Sequence, residues 1–220
     1  MTWIERVAEQ SPSVRRSRDR SVEQARLIVA AARRVIESNG PSFTTQELIQ
    51  EAGIALQTFY RSFPGKDHLL LAVVEDIIDE NCALFRAQAA EYSNPLDRLH
   101  VYVTATVRAL DSPTSSPSFI TSEHFRLQTL YPAEISQATK PYTDLIVEEI
   151  SAAMDEGLLG PREPKELAWF ITQLTMAVFH YYDCSGLTEP SEQIAERLWD
   201  FCLTALGGNG ESGAPRDPLP

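Results

Sequence analysis

Cysteine is scarce: the 220 residues hold three, Cys82, Cys184 and Cys202. An odd, widely spaced set makes neither a disulfide framework nor a zinc motif. Cys202 stands among Trp199, Phe201 and Leu203 and reads as a small buried hydrophobe, so a reducing cytoplasm is expected. Long apolar runs are missing too. None is long enough to span a bilayer, and Met1–Gln10 leads into arginine-rich sequence, not into the apolar core of a secretion signal. No membrane partner is expected. The four histidines, His68, His100, His124 and His180, are too far apart for a ligand set. There is no glycine-rich phosphate loop and no nucleophile elbow. Glu148-Glu149 and Asp155-Glu156 read as solvated faces. The expectation is therefore no metal, no cofactor and no catalysis. Strand patterns and internal repeats are absent as well, which leaves an all-α chain.

What is present is strongly acidic and unevenly so. The formal net charge is -12. Residues 1–70 carry 10 Lys and Arg against 8 Asp and Glu, and residues 71–220 carry 9 against 23. An acidic body is repelled by phosphate, so any nucleic-acid contact belongs to the N-terminal part.

The most informative stretch is Phe43 to Lys66, FTTQELIQEAGIALQTFYRSFPGK. Thr44-x-x-Glu47 is a capping box, in which the hydroxyl takes one free amide and the carboxylate takes another. Leu48, Ile49 and Ala52 share one face of the helix that follows. Gly53 stops it, because positive φ costs glycine little. A second short helix spans about Leu56 to Ser62, with Phe59 and Phe63 four apart and inward. Leu56, Gln57, Thr58, Tyr60 and Ser62 are left on the open side. Two short helices joined by a glycine turn suit a helix-turn-helix, whose second helix enters the major groove. Gln57 suits base edges, and the hydroxyls suit phosphates or bases. Lys66, in the first turn of the next helix, suits a phosphate.

Helix one is expected from Ser21, where Ser-x-x-Gln24 makes another capping box, with Ala25, Ile28, Val29, Ala32, Val35 and Ile36 as its buried stripe. Residues 13–20 precede it as a basic arm with four arginines. The arm is either a DNA-backbone or minor-groove contact or a solvated leader.

Phe43-Thr44-Thr45, Ala52-Gly53-Ile54, Thr58-Phe59-Tyr60-Arg61-Ser62-Phe63 and Pro64-Gly65-Lys66-Asp67-His68-Leu69-Leu70 together resemble the DNA-binding domain of TetR-family transcriptional regulators. The resemblance covers about Val22 to Val73. Ala55 departs from it, since the family more often has a capping serine there. Leu56 departs as well, at a position that is commonly polar. The resemblance implies a homodimer on a palindromic operator, usually repressing. Thr45, Gln46, Leu56, Gln57, Thr58, Tyr60 and Ser62 would face double-stranded DNA, and Lys66 would hold phosphate.

The expected division is a basic arm over 1–20, the helix-turn-helix domain over 21–66, a helical regulatory and dimerisation domain over 67–206 and a disordered tail over 207–220. Helix four, from Lys66 to about Tyr92, links the two domains. Helices five and six follow over about Pro95–Leu110 and Phe119–Leu130. A long helix then reaches Glu156, kinked or split at Pro141. Helices eight (about Lys165–Asp183) and nine (about Ser191–Leu206) are apolar on more than one stripe. That fits either a thick monomer core or a self-complementary four-helix dimer interface with Leu174, Val178, Trp199 and Leu203.

Phe85, Tyr102, Thr106, His124, Phe125, Gln128, Phe170, Gln173, Met176, Phe179 and His180 mix aromatic surface with polar handles. They fit plain core packing or a small-molecule pocket. The resemblance favours a pocket, and the lack of a basic cluster there favours an apolar or aromatic effector. The alternatives are a regulator switched by a protein partner and a helical enzyme or carrier, the latter lacking any visible catalytic constellation.

Overall fold

The computed structural model describes residues 12–39, 43–111, 117–186 and 189–207. The expected loop over 112–116 and tail over 208–220 lie outside the described residues, as does the chain before Pro12. Among the described residues the secondary structure is helical throughout: α1 (Pro12–Asn39), α2 (Thr45–Ala52), α3 (Leu56–Ser62), α4 (Lys66–Ala89), α5 (Pro95–Arg108), a 3-10 turn (Ala109–Asp111), α6 (Pro117–Leu130), α7 (Pro132–Asp155), α8 (Pro164–Ser185) and α9 (Ser191–Ala205). The all-α expectation holds.

The described residues fall into two compact units. One lies within Met1–Ile77 and Ser122–Ala138, the other within Ile78–Thr121 and Thr139–Pro220. Helices α4 and α7 each contribute to both. The sequence placed everything after Lys66 in the second domain, whereas the first turns of α4, most of α6 and the start of α7 cluster with the first unit.

The first unit closes around Ile28, Ala31, Ala32 and Ile36 of α1, Leu48 of α2, Phe59 of α3 and Leu69, Leu70, Val73 and Val74 of α4, all nearly inaccessible. Leu127 of α6 is buried as well. Helix α1 begins at Pro12 rather than Ser21, which corrects the expected start. Ser21 lies inside the helix, where its hydroxyl donates to the Ser17 carbonyl at 3.0 Å instead of capping. No proline or glycine interrupts residues 13–20, so nothing local stops the helix from extending there.

The second unit buries Leu99, Val103 and Val107 of α5, Leu145, Ile146 and Ile150 of α7, Ala168 of α8 and Ala195 and Cys202 of α9 in one cluster. Asn94 caps α5 through a bond from the Leu96 amide at 2.8 Å, with Pro95 in the first turn, where its missing N–H costs nothing. Pro141 does not split α7, which runs unbroken through it. A proline removes one intrahelical bond, and buried Ala138, Tyr142 and Leu145 on either side hold the rod together. Burial pushes the Cys82 thiol up to about 11 and the Cys202 thiol up to about 12, so neither is poised as a thiolate.

Candidate nucleic-acid interface

The helix-turn-helix forms as its local chemistry dictates. Thr44 caps α2: its Oγ1 accepts from the Glu47 amide at 3.2 Å, and Glu47 accepts from the Thr44 amide at 2.6 Å. These bonds hold the Glu47 carboxyl below its usual range, with the Thr44 backbone bond the largest cause. Gly53 ends α2 at φ 63°, a left-handed conformation that a side chain there would strain. Ala55 stands at the N-cap of α3 and provides no side-chain cap, as the alanine requires.

On α3, Phe59 and Phe63 turn inward, 1% and 8% exposed, with their rings 6.2 Å apart. Leu56 (48%) and Tyr60 (56%) face outward, as do Gln57 and Arg61. Thr58 and Ser62 are half-buried, and the Ser62 hydroxyl donates to the Thr58 carbonyl at 3.2 Å. On α2, Gln46 is exposed and Thr45 half-buried. The open face of α3 is thus Leu56, Gln57, Tyr60 and Arg61. Arg61 was absent from the expected set.

Lys66 stands in the first turn of α4, where the sequence placed it. Its Nζ donates to the Phe43 carbonyl at 2.6 Å and lies 4.1 Å from the centre of the Phe43 ring. Burial lowers its pKa, and the group is half-buried. It fastens the start of α4 to the residue just before the Thr44 cap of α2. Its neighbour Asp67 accepts from Arg126 of α6 at 2.6 Å, and Arg126 also reaches Glu123 at 2.7 Å. That bond from Arg126, above all, holds the Asp67 carboxyl below its usual range. The Tyr131 hydroxyl donates to Asp67 at 3.4 Å. The first turn of α4 is therefore tied both to the helix-turn-helix and to α6.

The basic arm is helical from Pro12, and its cleft is a second missed feature. A cavity of about 630 Å³ is lined by Ser13, Arg16, Ser17, Arg20, Ser21, Gln24 and Ala25 of α1 and by Arg61 and Ser62 of α3. The three- and four-residue spacing of these α1 residues was readable in the sequence, but with Ala25 its one apolar member it gave no sign of facing anything.

Of the residues considered for a ligand pocket, Phe85, Tyr102, Phe179 and His180 are buried and Thr106 and Met176 half-buried in the second unit. His124 is buried in the first unit. Phe125, Gln128, Phe170 and Gln173 are exposed on the protomer and do not line its interior. A hydroxyl cluster missed by the sequence reading lies inside the second unit. Tyr142 donates to the Tyr102 carbonyl at 3.1 Å, the Thr106 hydroxyl lies 3.1 Å from Tyr142 Oη, and Thr172 donates to Thr143 at 3.2 Å. Of the residues considered for an interface, Leu174, Val178 and Trp199 are half-buried against their own core and Leu203 is half-buried. Trp169, Phe170 and Tyr181 of α8 and Phe201 of α9 are the outward ones, at 52–66% exposure.

Two family models match. Residues 28–73 match the tetR family of bacterial regulatory proteins, and residues 92–206 match the tetracyclin repressor-like C-terminal domain. The chain belongs to the TetR family. No curated protein matches the TetR-family chain in sequence. Among solved structures it is similar to the fatty acid degradation regulator FadR from Bacillus halodurans, with a TM-score of 0.68 and 17% identity over 84% of this chain and 97% of that one. It is similar to RolR in complex with resorcinol, at 0.67 and 14% over 86% and 90%. It is also similar to AibR in complex with isovaleryl coenzyme A and operator DNA, at 0.54 and 21% over 81% and 97%. These are likenesses of fold. As a TetR-family regulator the chain binds DNA through its helix-turn-helix. Among its described residues no helix is long and apolar enough to cross a membrane.

Proposed function

We propose that this regulator is a cytoplasmic homodimer that represses from a palindromic operator and is released by a small apolar or aromatic effector. The observation that carries the reading is the outward face of α3. Leu56, Gln57, Tyr60 and Arg61 stand clear while Phe59 and Phe63 anchor the helix from behind. Gln57 offers an amide to base edges, Tyr60 a hydroxyl and Arg61 a cation to phosphate. Thr45 and Gln46 flank the same surface. Lys66 holds α4 against Phe43 and stands at the start of that helix, where a cation favours a phosphate.

One recognition helix reads too little DNA alone. Two copies fit successive major grooves about 34 Å apart. The exposed Trp169, Phe170, Tyr181 and Phe201 supply the apolar surface for pairing, with Leu174, Val178, Trp199 and Leu203 beside or beneath them. An effector would sit among the interior residues of the second unit, where Phe85, Tyr102, Met176 and Phe179 offer apolar walls and Tyr142, Thr106 and Thr143 offer hydroxyls. The resorcinol and acyl coenzyme A complexes of structurally similar proteins support a small-molecule effector. Helix α4 is the mechanical link, because it belongs to both units and its first turn is fixed by Lys66 and Asp67. The effector must bind the DNA-incompetent state more tightly for the switch to work.

The test is selection of duplex DNA by the full chain from a random pool, followed by anisotropy titrations. The expected result is an enriched palindrome, with Tyr60→Ala binding it at least about tenfold more weakly, the cost of about 1.4 kcal/mol. Gln57→Ala should change the enriched sequence more than affinity for mixed-sequence duplex. A pool that stays random after selection would refute the reading.

A further inference from the structure

The reading above gives Leu56 no task. It is the first residue of α3 and is 48% exposed on the outward face of that helix. Ala55 beside it is exposed as well. Tyr60, four residues on and so on the same face, is 56% exposed. The Tyr60 ring stands edge-on to the buried Phe59 ring, with centroids 5.1 Å apart, so it is backed by the core of the first unit. A lone leucine on a free surface carries no meaning. This one belongs to an apolar strip of Ala55, Leu56 and Tyr60, and it has Gln57 next to it on the helix proposed to enter the major groove. The Leu56 side chain has neither donor nor acceptor. A polar base edge pressed against it loses water and gains no hydrogen bond in return. The apolar group that base pairs present in the major groove is the C5 methyl of thymine.

We infer that Leu56 reads a thymine in each half-site through that methyl group, and so sets the base at one position of the operator. The inference rests on the proposed function and deepens it. Gln57 limits where the thymine lies. Consecutive Cα atoms are about 3.8 Å apart and successive base pairs about 3.4 Å, so the two residues fall on the same base pair or on neighbouring ones. Gln57 suits adenine, whose N7 and N6 groups match its amide. The two residues together therefore favour either one thymine–adenine pair or a thymine beside an adenine. The recognised chemistry is a pyrimidine C5 methyl, which 5-methylcytosine carries and uracil and cytosine lack. The polar residues of the same face, Gln57 and Arg61, cannot make this distinction, because the methyl group neither donates nor accepts.

The test uses the full chain and the duplex it enriches from a random pool. Each thymine of the half-site is replaced in turn by uracil, in both half-sites at once, which removes the methyl groups and nothing else. Anisotropy titrations should single out one position where affinity falls about tenfold, which is about threefold to fourfold for each methyl left unburied. Cytosine at that position should bind weakly, and 5-methylcytosine should recover at least about threefold relative to cytosine. In Leu56→Ala the uracil effect at that position should shrink to less than about twofold, while uracil elsewhere acts as it does in the wild-type chain. Circular dichroism should show unchanged helix content, since Leu56 lies outside the core. A half-site without thymine overturns the inference. So does a duplex that tolerates uracil at every position, or a uracil loss that persists undiminished in Leu56→Ala. The first two outcomes need the wild-type chain alone, so they decide the matter even where the variant does not fold. If the wild-type chain enriches no duplex, the proposed function fails and takes this inference with it. An enriched duplex with no uracil-sensitive thymine sinks the inference alone.

Discussion

In the first unit α3 turns Phe59 and Phe63 inward and leaves Gln57, Tyr60 and Arg61 in solvent beside Leu56, and Arg15, Arg16, Arg18 and Arg20 of α1 are exposed as well. In the second unit α8 and α9 leave aromatic rings in solvent, with Tyr181 at 66% and Phe201 at 63% exposure. Charge divides along the chain in the same way, with residues 1–70 slightly basic and residues 71–220 strongly acidic. Polar and basic side chains are suited to a hydrated polyanion, whereas exposed aromatic rings such as those of α8 and α9 are suited to a dry protein surface. The contrast teaches that one helical chain carries two surfaces of different chemistry. It also shows that the informative residues are those burial leaves behind.

Four changes break or sharpen this contrast. The largest effect is expected from Phe59→Ala, which empties the centre of the first unit. A loss of about 3–5 kcal/mol is expected for a fully buried phenylalanine. Thermal denaturation by circular dichroism should show an early transition, with the second unit melting later. A single transition at the wild-type temperature would show that Phe59 does not hold the unit together. Next comes Trp169→Glu combined with Phe201→Glu. Placing two carboxylates in an apolar interface should cost at least about 2 kcal/mol of association, with the protomer still folded. Sedimentation equilibrium reads this directly, and an undisturbed dimer would move the pairing surface elsewhere.

Arg126→Ala is smaller, about 1 kcal/mol, because its bond to Asp67 is partly exposed. Here pH provides a check. The Asp67 carboxyl is held below its ordinary pKa of about 3.9, so its contribution is fully present above that value. The contribution is lost as pH falls through the lowered folded value. The melting-temperature gap between wild type and Arg126→Ala should therefore be complete at pH 6 and shrink steadily below pH 4. A gap that widens in acid would contradict the assigned cause. Smallest is Ala55→Ser, which restores the absent cap of α3. A gain of about 0.5–1 kcal/mol in the first unit is expected. No gain would mean that the backbone at residue 55 cannot present a hydroxyl to the amides of Gln57 or Thr58.

Several parts of this molecule were legible because their causes are local. The Thr44–Glu47 box, the glycine turn, the uncapped Ala55 and the inward Phe59–Phe63 pair each follow from residues within one or two turns. The start of α1 was misplaced because Ser13–Arg20 carries no apolar period, and the Ser21–Gln24 pattern imitated a beginning. Lys66 shows a different limit. Its position in the first turn of α4 was readable, but the direction of its long side chain is set by Phe43, 23 residues earlier. On α8 the apolar pattern ran round most of the helix, whereas the protomer buries chiefly one stripe, Ala168, Ile171, Thr172, Thr175 and Phe179. The pattern gave no means of telling Phe179, in its own core, from Phe170, which faces out.

The amino-acid sequence by itself determined the helices, their caps and stops, the position of the helix-turn-helix and the acidic character of the remainder, because helix signals act over one or two turns and charge is additive. The tertiary structure decided which arginines share a cleft, where Lys66 points and which aromatic rings are left uncovered. Those outcomes depend on segments far apart in the chain meeting in space, and no local pattern encodes the meeting.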